Sequence, residues 1–547
     1  MGRQLLGIAL SFATLAVTLS CRSVSGDRSS DLASVGNDAD RRASEIHQAV
    51  ALDLRTRYPT TQNLVWFESR ASFANDWIVQ SPVDYWGKDA KALPINLNCD
   101  PVKDQGCDAI FTRKLCSVDE DCAASQSSCQ ELLASVTKPG ESPRKMCLGS
   151  GDKLMDHFYK IMISADDQLD IASLAYPTGR FVPAFFNALA YLSNKDKTPK
   201  IRMIFSGKKV LALNIIQRTH VTLQEILDGV KKAGGDAAKL NINIGWLSSK
   251  TKPSWNHSKI MIADQKLMIQ GGHNLYDPDY LSDNPIFDLS MEVSGLVAKS
   301  TVAFIDQLWL EADDVSVTPK DSAKIVMAAL PSSPSGKSRV IGMGRLGYNH
   351  LMTNKKDNPS DQGIIALINA AKSSLDFAQQ DMFHRAAPIA PISPSWALEA
   401  LGDALVRGVK VRVVQSGEAS TQGYGMVDFQ VTHDAIIKVA MEQAKKSSFK
   451  TPNGQDLKAY LCEHLELAPW HFNKNDKTWV SGVRLGSHPK LIIADSVSFY
   501  LGSQNFYPAN LQEYGMVVSD PAIAEDLIRD YWNPVWAASG SYKAECK

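Results

Sequence analysis

The chain carries almost no net charge: 58 Lys and Arg stand against 59 Asp and Glu, a balance of −1 over 547 residues. Without an excess of one sign there is no surface-wide field to gather a polyanion, so nucleic acid is not an expected partner. Long apolar runs are also missing. Beyond the N-terminus no stretch reaches the roughly 18 or more continuous apolar residues of a membrane span. The sequence has no paired Cys-x-x-Cys knuckles for zinc and no clustered carboxylates for a two-metal site, so neither a metal nor a cofactor is expected. Hydrophobic residues make up 44% and charged residues 21%, which supplies core for two or three domains and argues against wholesale disorder.

What is present begins with an export signal. Arg3 is followed by an apolar run from Leu5 to Leu19 that ends at Ser20-Cys21 and is too short to span a membrane. Thr18-Leu19-Ser20-Cys21 approximates a bacterial lipobox, with Thr18 where Leu is usual. Residues 1–21 therefore read as an export signal of lipoprotein type, with Cys21 as the lipidation site. The expected location is secreted, periplasmic or lipid-anchored at a bacterial membrane or cell surface. Residues 22–45, polar and rich in Ser and Asp, read as a flexible tether. The other eight cysteines are Cys99, Cys107, Cys116, Cys122, Cys129, Cys147, Cys462 and Cys546, an even number that predicts up to four disulfides. Six of them fall in a polar insert of about residues 99–150, whose pairing the sequence leaves open. Cys462 with Cys546 is the natural remainder.

Two stretches say nearly the same thing. His257-Ser-Lys259-Ile-Met-Ile-Ala-Asp264 recurs in the second half of the chain as His488-Pro-Lys490-Leu-Ile-Ile-Ala-Asp495. Each is followed by a turn ending in asparagine, Gly271-Gly-His-Asn274 and Gly502-Ser-Gln-Asn505, and the spacing from His to Asn is the same in both copies. In a strand, residues two apart share a face, so each imidazole enters a pocket with its lysine. One neutral histidine can attack phosphorus to give a phosphohistidine, and the other can serve the leaving and entering oxygens. Lys259, Lys490, Asn274 and Asn505 suit the nonbridging phosphate oxygens, where charge builds up in the transition state. Each histidine also needs an orienting carboxylate. The nearest downstream candidates are Asp288 for His257 and Glu513 for His488. The motif aspartates, Asp264 and Asp495, stand further along and read as structural supports.

The architecture repeats around the motifs. Leu169-Asp-Ile-Ala-Ser173 and Lys200 to Gly207 precede the first copy as strands; Leu375-Asp-Phe-Ala-Gln379 and Val409 to Ser416 precede the second. Strands alternating with helical patterns predict an α/β fold with helices covering the sheets. A first catalytic lobe is expected over residues 46–320, including the insert. A Pro- and Ser-containing connection follows at 321–337, and a second catalytic lobe at 338–547.

These residues resemble the phospholipase D superfamily, whose signature is a duplicated His-x-Lys-x-x-x-x-Asp, and look most like its secreted actinobacterial branch. Ser254-Trp-Asn-His-Ser-Lys259, Asp279-Tyr-Leu281, Gly502-Ser-Gln-Asn505-Phe-Tyr-Pro508, Leu511-Gln-Glu-Tyr-Gly515 and Leu461-Cys462 carry the likeness beyond the motif. The resemblance implies two similar α/β/α sandwich lobes related by a pseudo-two-fold axis, with His257 as nucleophile and His488 as general acid. It implies hydrolysis of a glycerophospholipid such as phosphatidylcholine at a membrane surface, water or a small alcohol as acceptor, and a monomer. Pro489, Gln504, Glu513 and His273 depart from the branch's pattern, and the Cys-rich insert is foreign to it. The competing functions are a phosphodiesterase of the same superfamily acting on nucleic acid, and a surface interaction protein that works through the Cys-rich module.

Overall fold

Apolar residues at every position of a strand mean that both of its faces are covered. Ile260-Met-Ile-Ala263 and Leu491-Ile-Ile-Ala494 are both of this kind, and each of these residues is buried. In the computed structural model, which describes residues 38–93, 98–210, 215–247, 255–318, 336–347, 358–384, 393–394, 396–420, 425, 427–506 and 511–547, they lie at the centres of two large sheets. The export signal, Cys21 and most of the expected inter-lobe connection fall outside these residues.

The sheet strands in chain order are β1 (Trp66–Ala71), β2 (Ile78–Ser81), β3 (Gln168–Ser173), β4 (Lys200–Phe205), β5 (Asn241–Trp246), β6 (Ile260–Ala263), β7 (Leu267–Gly271) and β8 (Asp288–Ser294). They continue with β9 (Asp314–Thr318), β10 (Ser338–Arg345), β11 (Ser374–Gln379), β12 (Lys410–Gln415), β13 (Leu465–Pro469), β14 (Lys490–Ala494), β15 (Ser498–Gly502) and β16 (Leu511–Ser519). One sheet runs β9-β5-β4-β3-β6-β7-β8-β2 and the other β13-β12-β11-β14-β15-β16-β10-β1. From β5 to β2 and from β13 to β10 the two sheets repeat one strand order, parallel on the β3 and β11 side and antiparallel through the hairpins. The protein is thus a mixed α/β fold of two similarly built lobes.

Alternation along each strand sorts the side chains into three cores. Ile260, Ile262, Leu491 and Ile493 enter one cluster shared by both sheets, which also takes Phe304, Ile305 and Leu308 from the helix Leu296–Leu310. Met261 and Ala263 face the outer helices of the first lobe, and Ile492 and Ala494 those of the second. The lobes therefore meet through a common apolar interior, which holds them in fixed relation.

The N-terminal boundary differs from the expectation. A helix runs over Asp38–Arg57, beginning inside the segment read as tether (22–45), because Ala43, Ile46, Val50 and Leu54 line one apolar face. That face packs into the second lobe's outer core, and β1 pairs antiparallel with β10. Residues 38–71, assigned from sequence to the tether and the first lobe, are thus structurally part of the second.

The insert is stapled by Cys99–Cys107, Cys116–Cys129 and Cys122–Cys147, and Cys462–Cys546 ties the C-terminal tail to the second lobe. Sulfurs of Cys116, Cys122 and Cys129 lie close together, but all three are engaged in disulfides and none is left as a thiolate ligand. No helix among the described residues is long and apolar enough to cross a membrane.

The motif aspartates close the hairpins. Asp264 and Gln265 have φ of 51° and 57°, and Asp495 and Ser496 have 51° and 58°, the left-handed pair found at the two central positions of a type I′ turn, which Asp tolerates. Asp264 Oδ1 accepts the N–H groups of Asp166, Asp167 and Gln168 at 3.1, 2.7 and 2.9 Å. Asp495 Oδ1 does the same for Lys372, Ser373 and Ser374 at 3.2, 2.8 and 3.0 Å, and its Oδ2 accepts Arg42 Nε at 2.6 Å. Each carboxylate ties its hairpin to the turn that opens the neighbouring strand, away from the imidazoles. Asp264→Ala is expected to cost about 1–3 kcal/mol of stability, read as a lower denaturant midpoint, while kcat per folded molecule stays within about twofold.

Candidate active site

The two halves of the site interlock. Trp255–Asn256 runs as a short parallel strand beside Leu511–Gln512 of the other lobe, and His257 N–H donates to Gln512 O at 2.7 Å. Across the site His488 N–H donates to Phe287 O, also at 2.7 Å. Gln512 and Phe287 immediately precede Glu513 and Asp288. Each histidine is therefore docked against the strand of the opposite lobe that delivers a carboxylate.

This docking corrects the expected pairing. His257 Nδ1 lies 3.1 Å from Glu513 Oε1, and His488 Nδ1 lies 2.7 Å from Asp288 Oδ2. The carboxylates cross over: each lobe orients the other lobe's histidine. Asp288 and Glu513 hold equivalent places, two residues before Ser290 and Gly515, which pair with Gly271 and Gly502 in their respective sheets.

Both imidazoles are buried, with ring centroids 6.4 Å apart and planes at 82°. Lys259 and Lys490 are buried beside them, each with Nζ donating to the carbonyl of the histidine two residues earlier. Asn274 and Asn505 are buried at the same place, and Asn274 Oδ1 has no hydrogen-bond partner among the described residues. The structure thus brings together every residue singled out for this pocket, and the two motif aspartates stand elsewhere.

The two carboxylates are held differently. Asp288 Oδ2 accepts the Tyr280 hydroxyl at 2.8 Å, and Oδ1 accepts Leu289 N–H at 2.8 Å. Glu513, one methylene longer, reaches the Asn505 N–H directly at 3.1 Å, whereas the Asn274 N–H meets the Tyr280 hydroxyl at 3.2 Å. Behind Glu513, Oε2 lies 3.8 Å from Arg345 Nη1, and Arg345 Nε pairs with Asp361 Oδ1 at 3.1 Å. Gln504 bonds Asp361 and Ser360. In the first lobe His273 Nδ1 lies 2.8 Å from Ser290 Oγ. Gly272 cannot carry a side chain, since a Cβ there would run into the Asp288 carboxylate. Tyr280, Arg345 and Asp361 had no role from sequence; no repeated spacing links them to the motifs.

Burial sets the charges. It lowers His257 well below its ordinary value, helped by Lys259, Lys490 and His488, and it lowers His488 to about 3, with Lys490 adding to the effect. Lys259 falls to about 7 and Lys490 well below its usual range for the same reason. Burial would raise Asp288, but the neighbouring His488, His273 and Lys490 hold it below the usual carboxylate range. Glu513 is pushed up by burial to about 7, against the opposing pull of Arg345 and the Asn505 N–H. The two histidines thus rest on unlike partners.

Residues 364–535 match the family model described as cardiolipin synthase, PLD-like domain. Over 438 residues the sequence is 28% identical to the phospholipase D of Streptomyces antibioticus, covering 71% of this chain and 77% of that protein. Both likenesses point to the phospholipase D superfamily. They support a phosphodiesterase or phosphatidyltransferase. Among solved structures, phosphatidylserine synthase of Haemophilus influenzae Rd KW20 aligns with a TM-score of 0.46 at 12% identity, covering 72% of this chain and 86% of that one. The phospholipase D family member Nuc from Salmonella typhimurium aligns over 32% of this chain and 86% of that one, with a TM-score of 0.19 and 19% identity.

A pH profile follows from the unlike partners. Glu513, raised to about 7, is ionised only above that pH, and Lys259, lowered to about 7, is charged only below it. For phosphoryl transfer at this site kcat/KM is expected to form a narrow bell near pH 7, falling on the acid side as Glu513 takes a proton and on the alkaline side as Lys259 loses one. Glu513→Gln should lower the plateau and abolish the acid limb; an acid limb unchanged in that variant assigns it to another group.

Proposed function

We propose that the protein is an exported phospholipase D, hydrolysing glycerophospholipids such as phosphatidylcholine to phosphatidic acid and the free head group. The observation that carries this reading is the pair of buried imidazoles from opposite lobes, each with a carboxylate on Nδ1 and a lysine beside it. With each Nδ1 committed to a carboxylate, Nε2 is the nitrogen assigned to the phosphoryl group. The 28% identical phospholipase D supports the substrate class, and the four disulfides fit an oxidising compartment outside the cytoplasm.

In the first step His257, kept neutral by burial, attacks phosphorus through its Nε2 lone pair. A P–N bond forms as the P–O bond to the head group breaks. His488 gives its proton to the departing alkoxide. Burial keeps His488 neutral in the free protein, and a bound phosphodiester anion adds the negative charge that favours its cation over the ionised Asp288. In the second step His488 takes a proton from water as the water oxygen attacks phosphorus, and the P–N bond breaks to release phosphatidic acid. An alcohol in place of water gives transphosphatidylation. Lys259, Lys490, Asn274 and Asn505 hold the nonbridging oxygens through both steps. The assignment of nucleophile and acid rests on the family resemblance. The carboxylates support it, since the firmly ionised one lies under the ring that must become positive.

Incubation with phosphatidylcholine vesicles and ethanol is expected to yield phosphatidic acid and phosphatidylethanol. His257→Ala should lower both by on the order of a thousandfold or more. Acid-quenched mixtures should hold a phosphohistidine that His257→Ala loses and His488→Ala retains. No product from any phospholipid, together with cleavage of DNA, overturns the proposal.

A further inference from the structure

The disulfide-stapled insert ends at Ser150-Gly151-Asp152, and these three residues reach both anchors of His488. The first route runs to its carboxylate. Arg113, inside the insert and 1% exposed, donates Nε and Nη2 to the two oxygens of the fully buried Asp152, both at 2.9 Å. Arg113 Nη2 also lies 3.4 Å from Leu281 O, and the Gly151 backbone packs so tightly on the Tyr280 carbonyl that a Cβ would collide with it. Tyr280 is the residue whose hydroxyl donates to Asp288 Oδ2, the oxygen that holds His488 Nδ1.

The second route runs to the backbone of His488. Ser150 Oγ donates to the Tyr85 hydroxyl at 2.7 Å, and the Tyr85 ring meets Phe287 edge-on with centroids 5.7 Å apart. Phe287 O accepts the His488 N–H. The staples fix where Arg113 stands. Thr112 O accepts the N–H of Cys99, and Lys114 O accepts that of Cys147, so the residues on either side of Arg113 are tied to two disulfides. His257 has its own supports in the second lobe, Glu513 with Arg345 and Asp361.

We propose that the insert is a brace for one half of the active site. Arg113 and Asp152 act as positioning residues that hold Tyr280 and Asp288 so that His488 is aimed at the leaving oxygen. The buried bidentate ion pair is suited to this, because removing one partner leaves the other charge uncompensated and releases the turn between them. The brace acts on proton delivery to the leaving group and leaves nucleophilic attack by His257 untouched. This inference rests on the reading of His488 as the proton donor.

That division makes it testable by leaving group. Phosphatidylcholine expels a basic alkoxide that needs a proton, whereas phosphatidyl-p-nitrophenol expels a phenolate that needs none. First-turnover rates are measured for both substrates in the same mixed micelles, with folding of each variant checked by thermal unfolding. Arg113→Met is expected to slow phosphatidylcholine cleavage on the order of tenfold or more, part of the hundredfold or more that general acid catalysis supplies. Release of p-nitrophenolate should change by less than about threefold, as it draws on no general acid. Ser150→Ala, which removes only the hydroxyl on Tyr85, should show the same selectivity at smaller size and serves if Arg113→Met does not fold. Equal losses on both substrates, or no loss on either, overturn the brace. His488→Ala is the control: if it too slows both substrates equally, the reading of His488 as proton donor has failed; if it is selective and Arg113→Met and Ser150→Ala are not, the brace alone has failed.

Discussion

Everything in the site depends on two backbone hydrogen bonds that cross between the lobes, His257 N–H to Gln512 O and His488 N–H to Phe287 O. Each places a histidine beside a carboxylate carried by the opposite sheet. A lobe by itself would hold an imidazole without the carboxylate on its Nδ1 and a carboxylate without the imidazole it orients. The shared apolar interior between the sheets is what makes the crossing permanent. The lobes meet once, in a fixed register, and both catalytic halves are completed together.

Burial then does the electrostatic work. Two lysines, two histidines and two carboxylates are buried together, and the protein settles their charges by lowering the bases and splitting the acids. The split follows from side-chain length and neighbours. Asp288 is short and needs Tyr280 to link it to the Asn274 turn, while Glu513 reaches the Asn505 turn by itself and leaves its far oxygen to Arg345. A nearly symmetric scaffold thereby yields two inequivalent histidines, as a reaction with one nucleophile and one proton carrier requires.

Much of this was legible in the sequence because the repeat is local. The His-x-Lys spacing, the matched asparagines and the apolar quartets lie close together along each half of the chain, and short-range periodicity decides where their side chains go. What failed was long-range. Asp288 follows His257 within the first lobe and Glu513 follows His488 within the second, so chain order pointed to the near partner, and only the docking of the lobes reverses it. Ala43, Ile46, Val50 and Leu54 spell a helix, but nothing in that pattern says which lobe it will cover. The motif aspartates were readable as supports by their position. Their left-handed hairpin geometry explains why that residue type stands there.

The placement of the helix Asp38–Arg57 and of β1 has a consequence for biosynthesis. Both are made early, yet the partners they need, Ile364 and Ile368 on one helix and β10 in the sheet, are made only after the whole first lobe, and Arg42 waits still longer for Asp495. The tertiary contacts of this segment therefore cannot be completed until residues as far along as Asp495 are available. The first described helix of the chain is thus tied to a partner 453 residues further along it.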